Sequence, residues 1–192
     1  MSAKKRSLLF LFCFVIGFLS LSANPFSTTI QGRLEHAIIK EKIHHAFEQY
    51  LPANFSNKSH VIADAVVKES LKYRMDPLLM TAVIARESRF NPLIIGPVGE
   101  IGLMQVRPST GKWIAKIMGL PWRGASALKN PIYNISLGVA YLSYLKRRYS
   151  PKEGLRFLAA YNMGEAALLR FLAKKIEPKI YAMNVMEKYQ TI

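Results

Sequence analysis

Acidic residues and cysteine are what this chain lacks most. Its 192 residues hold one cysteine, Cys13, and only 12 Asp+Glu against 27 Lys+Arg. A single cysteine excludes an internal disulfide and a thiolate metal site within these residues. The four histidines, His36, His44, His45 and His60, show no zinc-ligand spacing, so no metal and no cofactor is expected. His44 and His45 read instead as part of a solvated helix face. Convincing alternating strands and internal repeats are absent, and no nucleic-acid-binding motif accompanies the basic charge, so nucleic acid is not an expected partner. What remains is a helix-rich chain whose 51% hydrophobic content suffices for one ordinary domain and a short extension.

The chain opens with Lys4-Lys5-Arg6 and an uncharged, mostly apolar run from Ser7 to Leu21, the layout of a secretory signal. The run falls short of the ~20 residues that span a bilayer comfortably. Residues 1–23 are therefore read as a cleaved signal, with an uncleaved membrane anchor as the alternative. Phe10-Leu11-Phe12 ahead of Cys13 does not suit lipid attachment. Without residues 1–23 the chain keeps 24 Lys+Arg against 12 Asp+Glu, a net of about +12. Such an excess serves solubility or attraction to an anionic polymer or lipid.

Residues 24 to about 34 carry Asn, Pro, Ser, Thr and Gly and read as a linker, followed by an accessory helix from His36 to Tyr50. A second amphipathic helix covers Val61 to Tyr73. Asp76-Pro77 then pairs an N-cap residue with proline at the first helical position, which predicts a helix ending near Ser88. Pro92, Gly96, Pro97 and Gly99 mark a loop or short hairpin before Gly102. Further helices are expected at Pro108–Met118, Ile135–Tyr149, Pro151–Tyr161, Glu165–Lys174 and Pro178–Tyr189. The third of these rests on the capping box Ser150-Pro151-Lys152-Glu153.

Three blocks carry the chemistry: Glu87-Ser88-Arg89-Phe90-Asn91-Pro92, Gly102-Leu103-Met104-Gln105 and Ala160-Tyr161-Asn162-Met163-Gly164. An acid near a helix C-terminus meets the negative end of the dipole, which favours its protonated form. Gln105 supplies a donor and an acceptor, Met104 an apolar wall, and Gly102 a close backbone approach. In this order and spacing the blocks closely resemble the soluble lytic transglycosylase (SLT) catalytic domain, whose fold is related to goose-type lysozyme. The resemblance covers roughly Asp76 to Tyr181. It implies an all-α, lysozyme-like fold with a short loop or β-hairpin segment after the catalytic helix. Together with the signal and linker read above, the chain divides into residues 1–23 as signal or uncleaved anchor, 24–59 as linker and accessory helix, and 60–192 as the lytic transglycosylase-like domain.

The resemblance further implies that Glu87 is the catalytic acid and then base, cleaving the MurNAc–GlcNAc bond of peptidoglycan without water and leaving a 1,6-anhydro end. It places Ser88, Met104, Gln105, Tyr161, Asn162 and Tyr181 at the substrate. Peptidoglycan strands are then the partner, in the periplasm or cell envelope, with a cell-envelope machine as a further candidate partner and a membrane tether where the signal stays uncleaved. Two positions depart from the relatives: Gly96 stands where many carry a serine, and Glu100 where a small residue is usual. Goose-type lysozymes have an aspartate where this chain has Arg107, which cannot act as a general base. That leaves Glu100 as the sole candidate base for a hydrolytic muramidase, the alternative reading. A non-catalytic wall-binding module is the other.

Overall fold

The computed structural model describes residues 27–149 and 153–192. The signal-like run and the first three residues of the Ser150–Glu153 box lie outside them. Two units make up the chain, Met1–Ala37 and Ile38–Ile192. In the first, the described residues form the opening turns of helix α1 (Ser27–Tyr50), and residues 31–37 are exposed. Helix thus begins inside the stretch that composition marks as linker, because no proline interrupts the chain between Pro25 and Pro52.

The second unit is built of the rest of α1 and of α2 (Ser59–Lys72), α3 (Pro77–Ser88), α4 (Pro108–Met118), α5 (Pro131–Arg148), α6 (Arg156–Met163), α7 (Glu165–Ala173) and α8 (Ile180–Thr191). Asp76 starts α3 as expected: its carboxylate accepts from the Leu78 and Leu79 N–H groups at 2.8 and 3.4 Å. The same device opens α5, where Asn130 accepts from Tyr133 N–H ahead of Pro131. That helix therefore starts four residues before Ile135. Helix α6 starts later than the capping box suggests. Gly154 lies at φ +62°, outside helical geometry, and Glu153 instead pairs with Arg156 at 3.2 Å.

The core of this unit is helical packing. Helix α3 packs on α8 and α2, and α5 on α2, α6 and α4. Ile43, Phe47, Ile62, Met80, Ile84, Leu103, Met104, Ile135, Leu137 and Leu142 are fully buried among them. His44 does not lie on a solvated face. Its side chain is 12% exposed, facing Asp64 and His60 at 2.9 and 2.7 Å and so tying α1 to α2. His45 stays exposed.

Between α3 and α4 the chain doubles back through two isolated antiparallel bridges, Ile95 with Ile101 and Ile101 with Val106. Among the described residues no strand forms, so the segment is a folded loop rather than a hairpin. Fully buried Asn134 of α5 pins it from below. Its Oδ1 accepts from Met104 N–H at 2.8 Å, and its Nδ2 donates to the carbonyls of Ile101 and Leu128 at 2.7 and 3.0 Å. Gly102 lies above this amide at φ +80°, where a Cβ would come within 2.5 Å of the Asn134 nitrogen. Asn134→Ala strands buried backbone groups, at roughly 1–3 kcal/mol for each group left unpaired. Urea unfolding should show a loss of about 3 kcal/mol, and a loss under about 1 kcal/mol would mean that the loop is held by something else.

Candidate active site

Glu87 occupies the last turn of α3 and is partly buried. After Ser88 the chain takes two left-handed residues in succession, Arg89 at φ 49° and Phe90 at φ 63°. The Tyr181 hydroxyl, on the first turn of α8, donates to Glu87 Oε1. Among the described residues Glu87 Oε2 has no hydrogen-bond partner. Burial pushes the Glu87 carboxyl above the usual range. The Tyr181 bond and the Arg86 charge oppose this, and the Glu100 charge adds to it. Tyr181 and Tyr161 are both held well above the ordinary phenol value, first by burial and then by the Glu87 charge. Both act as donors.

A cavity of about 290 Å³ opens against this carboxyl, walled by Glu100, Gln105, Arg107, Thr110, Tyr141, Tyr161 and Asn162, with Pro97, Val106 and Gly164 completing it. Gln105 Nε2 donates to the carbonyls of Gly102 and Ile94 at 3.0 and 3.3 Å, which fixes the amide's orientation and leaves Oε1 as an acceptor. Tyr161 donates to the Met104 carbonyl at 2.7 Å. Its ring lies 5.3 Å from that of Tyr141, which meets Trp113 edge-on at 6.3 Å. Burial raises the Tyr141 phenol to about 12. The wall beside the acid is thus a run of aromatic rings with protonated hydroxyls, a surface suited to a sugar's apolar face and its oxygens.

Glu100 is the second carboxylate of the cavity. Its Oε1 accepts from Arg107 Nε and Nη2 at 3.1 and 2.9 Å, and its Oε2 from Val98 N–H at 3.1 Å. Burial works against its charge, but these donors outweigh burial and hold it below the usual range. Gly96 is what makes room: a Cβ there would lie 2.6 Å from Glu100 Oε2 and 2.7 Å from Gln105 Oε1. Glu100 and Gln105 thus occupy the space that a side chain at position 96 would need.

The Transglycosylase SLT domain model matches residues 64–184, well over half of the chain. The protein belongs to that family. It is 38% identical over 132 residues to the Endo-type membrane-bound lytic murein transglycosylase A of Klebsiella pneumoniae subsp. pneumoniae, covering 62% of this chain and 63% of the relative. A protein with the same description from Enterobacter sp. is 35% identical over 135 residues, covering 65% and 66%. The chain thus spans a little under two thirds of the length of these relatives. Among solved structures, a lytic transglycosylase Slt from Pseudomonas aeruginosa aligns with a TM-score of 0.59 at 25% identity, over 66% of this chain and 23% of that one. The 70 kDa soluble lytic transglycosylase of Escherichia coli aligns with 0.56 at 21% identity, over 81% and 28%. The lysozyme-like, predominantly helical fold is that of the SLT family.

Of the residues singled out from sequence, Glu87, Gln105, Tyr161 and Asn162 converge on one cavity, and Tyr181 reaches it through its bond to Glu87. Ser88 and Met104 do not line it. The Ser88 hydroxyl is buried and donates back to the Ile84 carbonyl at 3.0 Å, as a serine in a last helical turn readily does. Met104 is fully buried against Gly138 of α5, where any Cβ would meet its sulfur at 2.5 Å, and it offers the cavity only its carbonyl, by way of Tyr161. Thr110 and Tyr141 escaped sequence reading: in an apolar helix Tyr141 looks like any core aromatic. Asn134 escaped too, for nothing in Tyr133-Asn134-Ile135 announces a partner thirty residues upstream.

A raised carboxyl has a thermodynamic signature. The folded state binds the Glu87 proton more tightly than the unfolded chain, so this group costs the wild type stability as pH rises through and beyond the ordinary glutamate range. Glu87→Gln, neutral at every pH, removes the cost. Thermal melts should show the variant more stable than wild type at pH 7, with the difference shrinking towards zero near pH 4. A constant difference between the two pH values would contradict a raised carboxyl.

Proposed function

We propose that the chain is a peptidoglycan lytic transglycosylase in which Glu87 acts first as acid and then as base. The observation that carries this reading is the state of the two carboxyls sharing one cavity. Burial raises the proton affinity of Glu87 and its Oε2 is open, while Glu100 is held below the usual carboxylate range with both oxygens already bound. This suits Glu87 to donate a proton and leaves Glu100 poorly suited to activate water. Glu87 gives its proton to the bridging oxygen as the bond from C1 of MurNAc breaks, releasing the GlcNAc 4-hydroxyl and an oxocarbenium-like sugar. The ionised Glu87 then takes the proton of the C6 hydroxyl as O6 bonds to C1. The ring closes to a 1,6-anhydro end, Glu87 regains its proton, and no water is consumed.

The remaining groups divide between substrate and support. Gln105 Oε1 and Asn162 are suited to an N-acetyl or hydroxyl group, and the Tyr141 and Tyr161 rings to stacking on a sugar. Tyr181 orients the acid and draws part of the charge left on it after proton transfer. Ser88 and Met104 stiffen the elements that carry the acid and the glutamine. Lys4-Lys5-Arg6 and the apolar run after it support export to the periplasm or cell envelope. Among the described residues no helix is long and apolar enough to cross a membrane. A cell-envelope machine as partner is part of the same proposal and finds its support in the export signal alone.

Digestion of purified sacculi followed by mass spectrometry tests the reading. The wild type should release muropeptides with anhydro ends, and Glu87→Gln should reduce the rate by about 10³-fold, within the usual span for general acid–base groups. Reducing MurNAc ends would select a hydrolytic muramidase, and binding without soluble product a wall-binding module. The acid must start protonated, so activity should fall as pH rises through the Glu87 value. Tyr181→Phe removes a bond that favours the ionised form, and it should move that alkaline limb to higher pH while lowering the maximal rate.

A further inference from the structure

From Ile101 to Lys152 the sequence holds nine Lys and Arg and no Asp or Glu, and both of the chain's tryptophans, Trp113 and Trp122, lie inside this stretch. The fold gathers part of it on the outer side of α4. Gly111, Ile114 and Ala115 turn that helix's inner side into the core. The opposite side, at spacings of three and four, carries Lys112, Trp113, Lys116 and Ile117, all exposed, with Trp113 at 39% and Ile117 at 47%. Half-buried Leu120 and Trp122 continue the apolar stripe past the end of the helix and complete an open depression with Lys112, Trp113 and Lys116. Trp122 lays its ring against α4, where a Cβ on Gly111 would come within 2.8 Å of the indole.

An ordinary surface helix is apolar on one side and polar on the other. Helix α4 carries apolar side chains on both, which marks the outer side as one that a partner covers. The charge around it says of what kind. Among the described residues no carboxylate pairs with Lys112, Lys116, Arg123 or Arg147. Arg147 of α5 is held at the last turn of α4 by its bond to the Met118 sulfur at 3.6 Å, and Arg123, next to Trp122, rests its guanidinium over the Tyr133 ring at 5.5 Å. The C-terminal dipole of α4 offsets only about half a charge. The partner must therefore be anionic.

Lys112 and Lys116 rise from the same side of the helix as Trp113 and Ile117, so that partner meets cations and apolar side chains across one surface. A lone phosphate offers nothing to the apolar residues, and a sugar's apolar face suits a flat ring rather than the branched Ile117. An anionic bilayer meets both demands in layers. Its phosphates face the cations, its acyl boundary takes aliphatic side chains, and tryptophan settles at the interface between them. We propose that the outer face of α4 docks on an anionic lipid surface, with Lys112, Lys116 and Arg147 at the phosphates and Trp113 and Ile117 entering the acyl boundary. The inference does not depend on what the cavity cleaves. Docking brings that cavity close to the bilayer, since Thr110 of the same helix lines it and Trp113 meets the Tyr141 ring of its wall.

The experiment titrates the full chain with phosphatidylglycerol vesicles, with phosphatidylcholine vesicles as the neutral control, and follows tryptophan emission. Both tryptophans sit on the proposed face, so a blue shift reads this surface even where the Ser7–Leu21 run also enters the bilayer. The shift should saturate with phosphatidylglycerol and fall with added salt. The lipid concentration it needs should rise about 10²-fold in Lys112→Gln/Lys116→Gln/Arg147→Gln, at roughly fivefold per cation. Ile117→Ser should raise it about tenfold, as loss of a buried aliphatic side chain does, while leaving the salt dependence in place. Circular dichroism checks that the triple variant folds, and Ile117→Ser, at an exposed position, keeps the test open if it does not. The proposal is overturned if phosphatidylglycerol leaves the emission unmoved, if phosphatidylcholine shifts it equally, or if the variants behave as wild type. It is overturned too if the same substitutions abolish binding to purified sacculi while vesicles stay unbound, which would make this a wall-binding face.

Discussion

A carboxyl held partly out of water, with a phenol rather than a cation as its direct partner, is the constraint on which this structure turns. A cation bonded to Glu87 would hold it ionised and useless as a donor at neutral pH, while full solvation would return it to the ordinary glutamate range. The phenol of Tyr181 avoids both. It is itself too buried to ionise, so it always donates, and it occupies one oxygen while leaving the other to the cavity. Much of the surrounding fold can be read as what keeps that pair in register.

Helix α8 does this with two tyrosines. Tyr181 bonds Glu87 at one end of α3, and Tyr189 donates to Asp76 at the other, at 2.7 Å. The two helices therefore run antiparallel, and the N-cap that starts α3 and the acid that ends it are clasped by the same partner. Asp76 serves twice, with Oδ1 capping its own helix and Oδ2 receiving Tyr189. Strengthening α3 as a helix and fixing the position of Glu87 are thus a single structural act. On the opposite wall Asn134 has the corresponding duty, setting the Met104 backbone whose carbonyl in turn anchors Tyr161.

What sequence could reveal of this follows the range of each interaction. The α3 start was legible in Asp76-Pro77, because capping is a contact between residues two or three apart. The acid, Gln105, Tyr161 and Asn162 were legible because the three blocks resemble a known family. The role of Gly154 in delaying α6 was hidden behind a sound local signal, the capping box, since a glycine tells only that a left-handed residue is permitted. Asn134, Thr110 and Tyr141 were illegible for a different reason. Their partners lie on other elements, and an asparagine or tyrosine inside an apolar helix has the same local pattern whether it fills core or faces a cavity. Ser88 and Met104 show the converse, motif residues whose side chains support the site from behind.

Gly96, Glu100 and Arg107 are not independent of one another. Gly96 without Glu100 would leave a void beside the Gln105 oxygen; Glu100 without Gly96 would drive its carboxylate against a Cβ. Glu100 without Arg107 would keep the Val98 N–H on Oε2 but leave Oε1 without a donor. With all three present the charge is placed, neutralised and still near enough to favour the proton on Glu87. On the other side of α3, Arg86 pulls the opposite way, favouring the ionised acid. The proton affinity of Glu87 is set first by burial against the Tyr181 bond, and then adjusted by an arginine on one side of α3 and a carboxylate on the other.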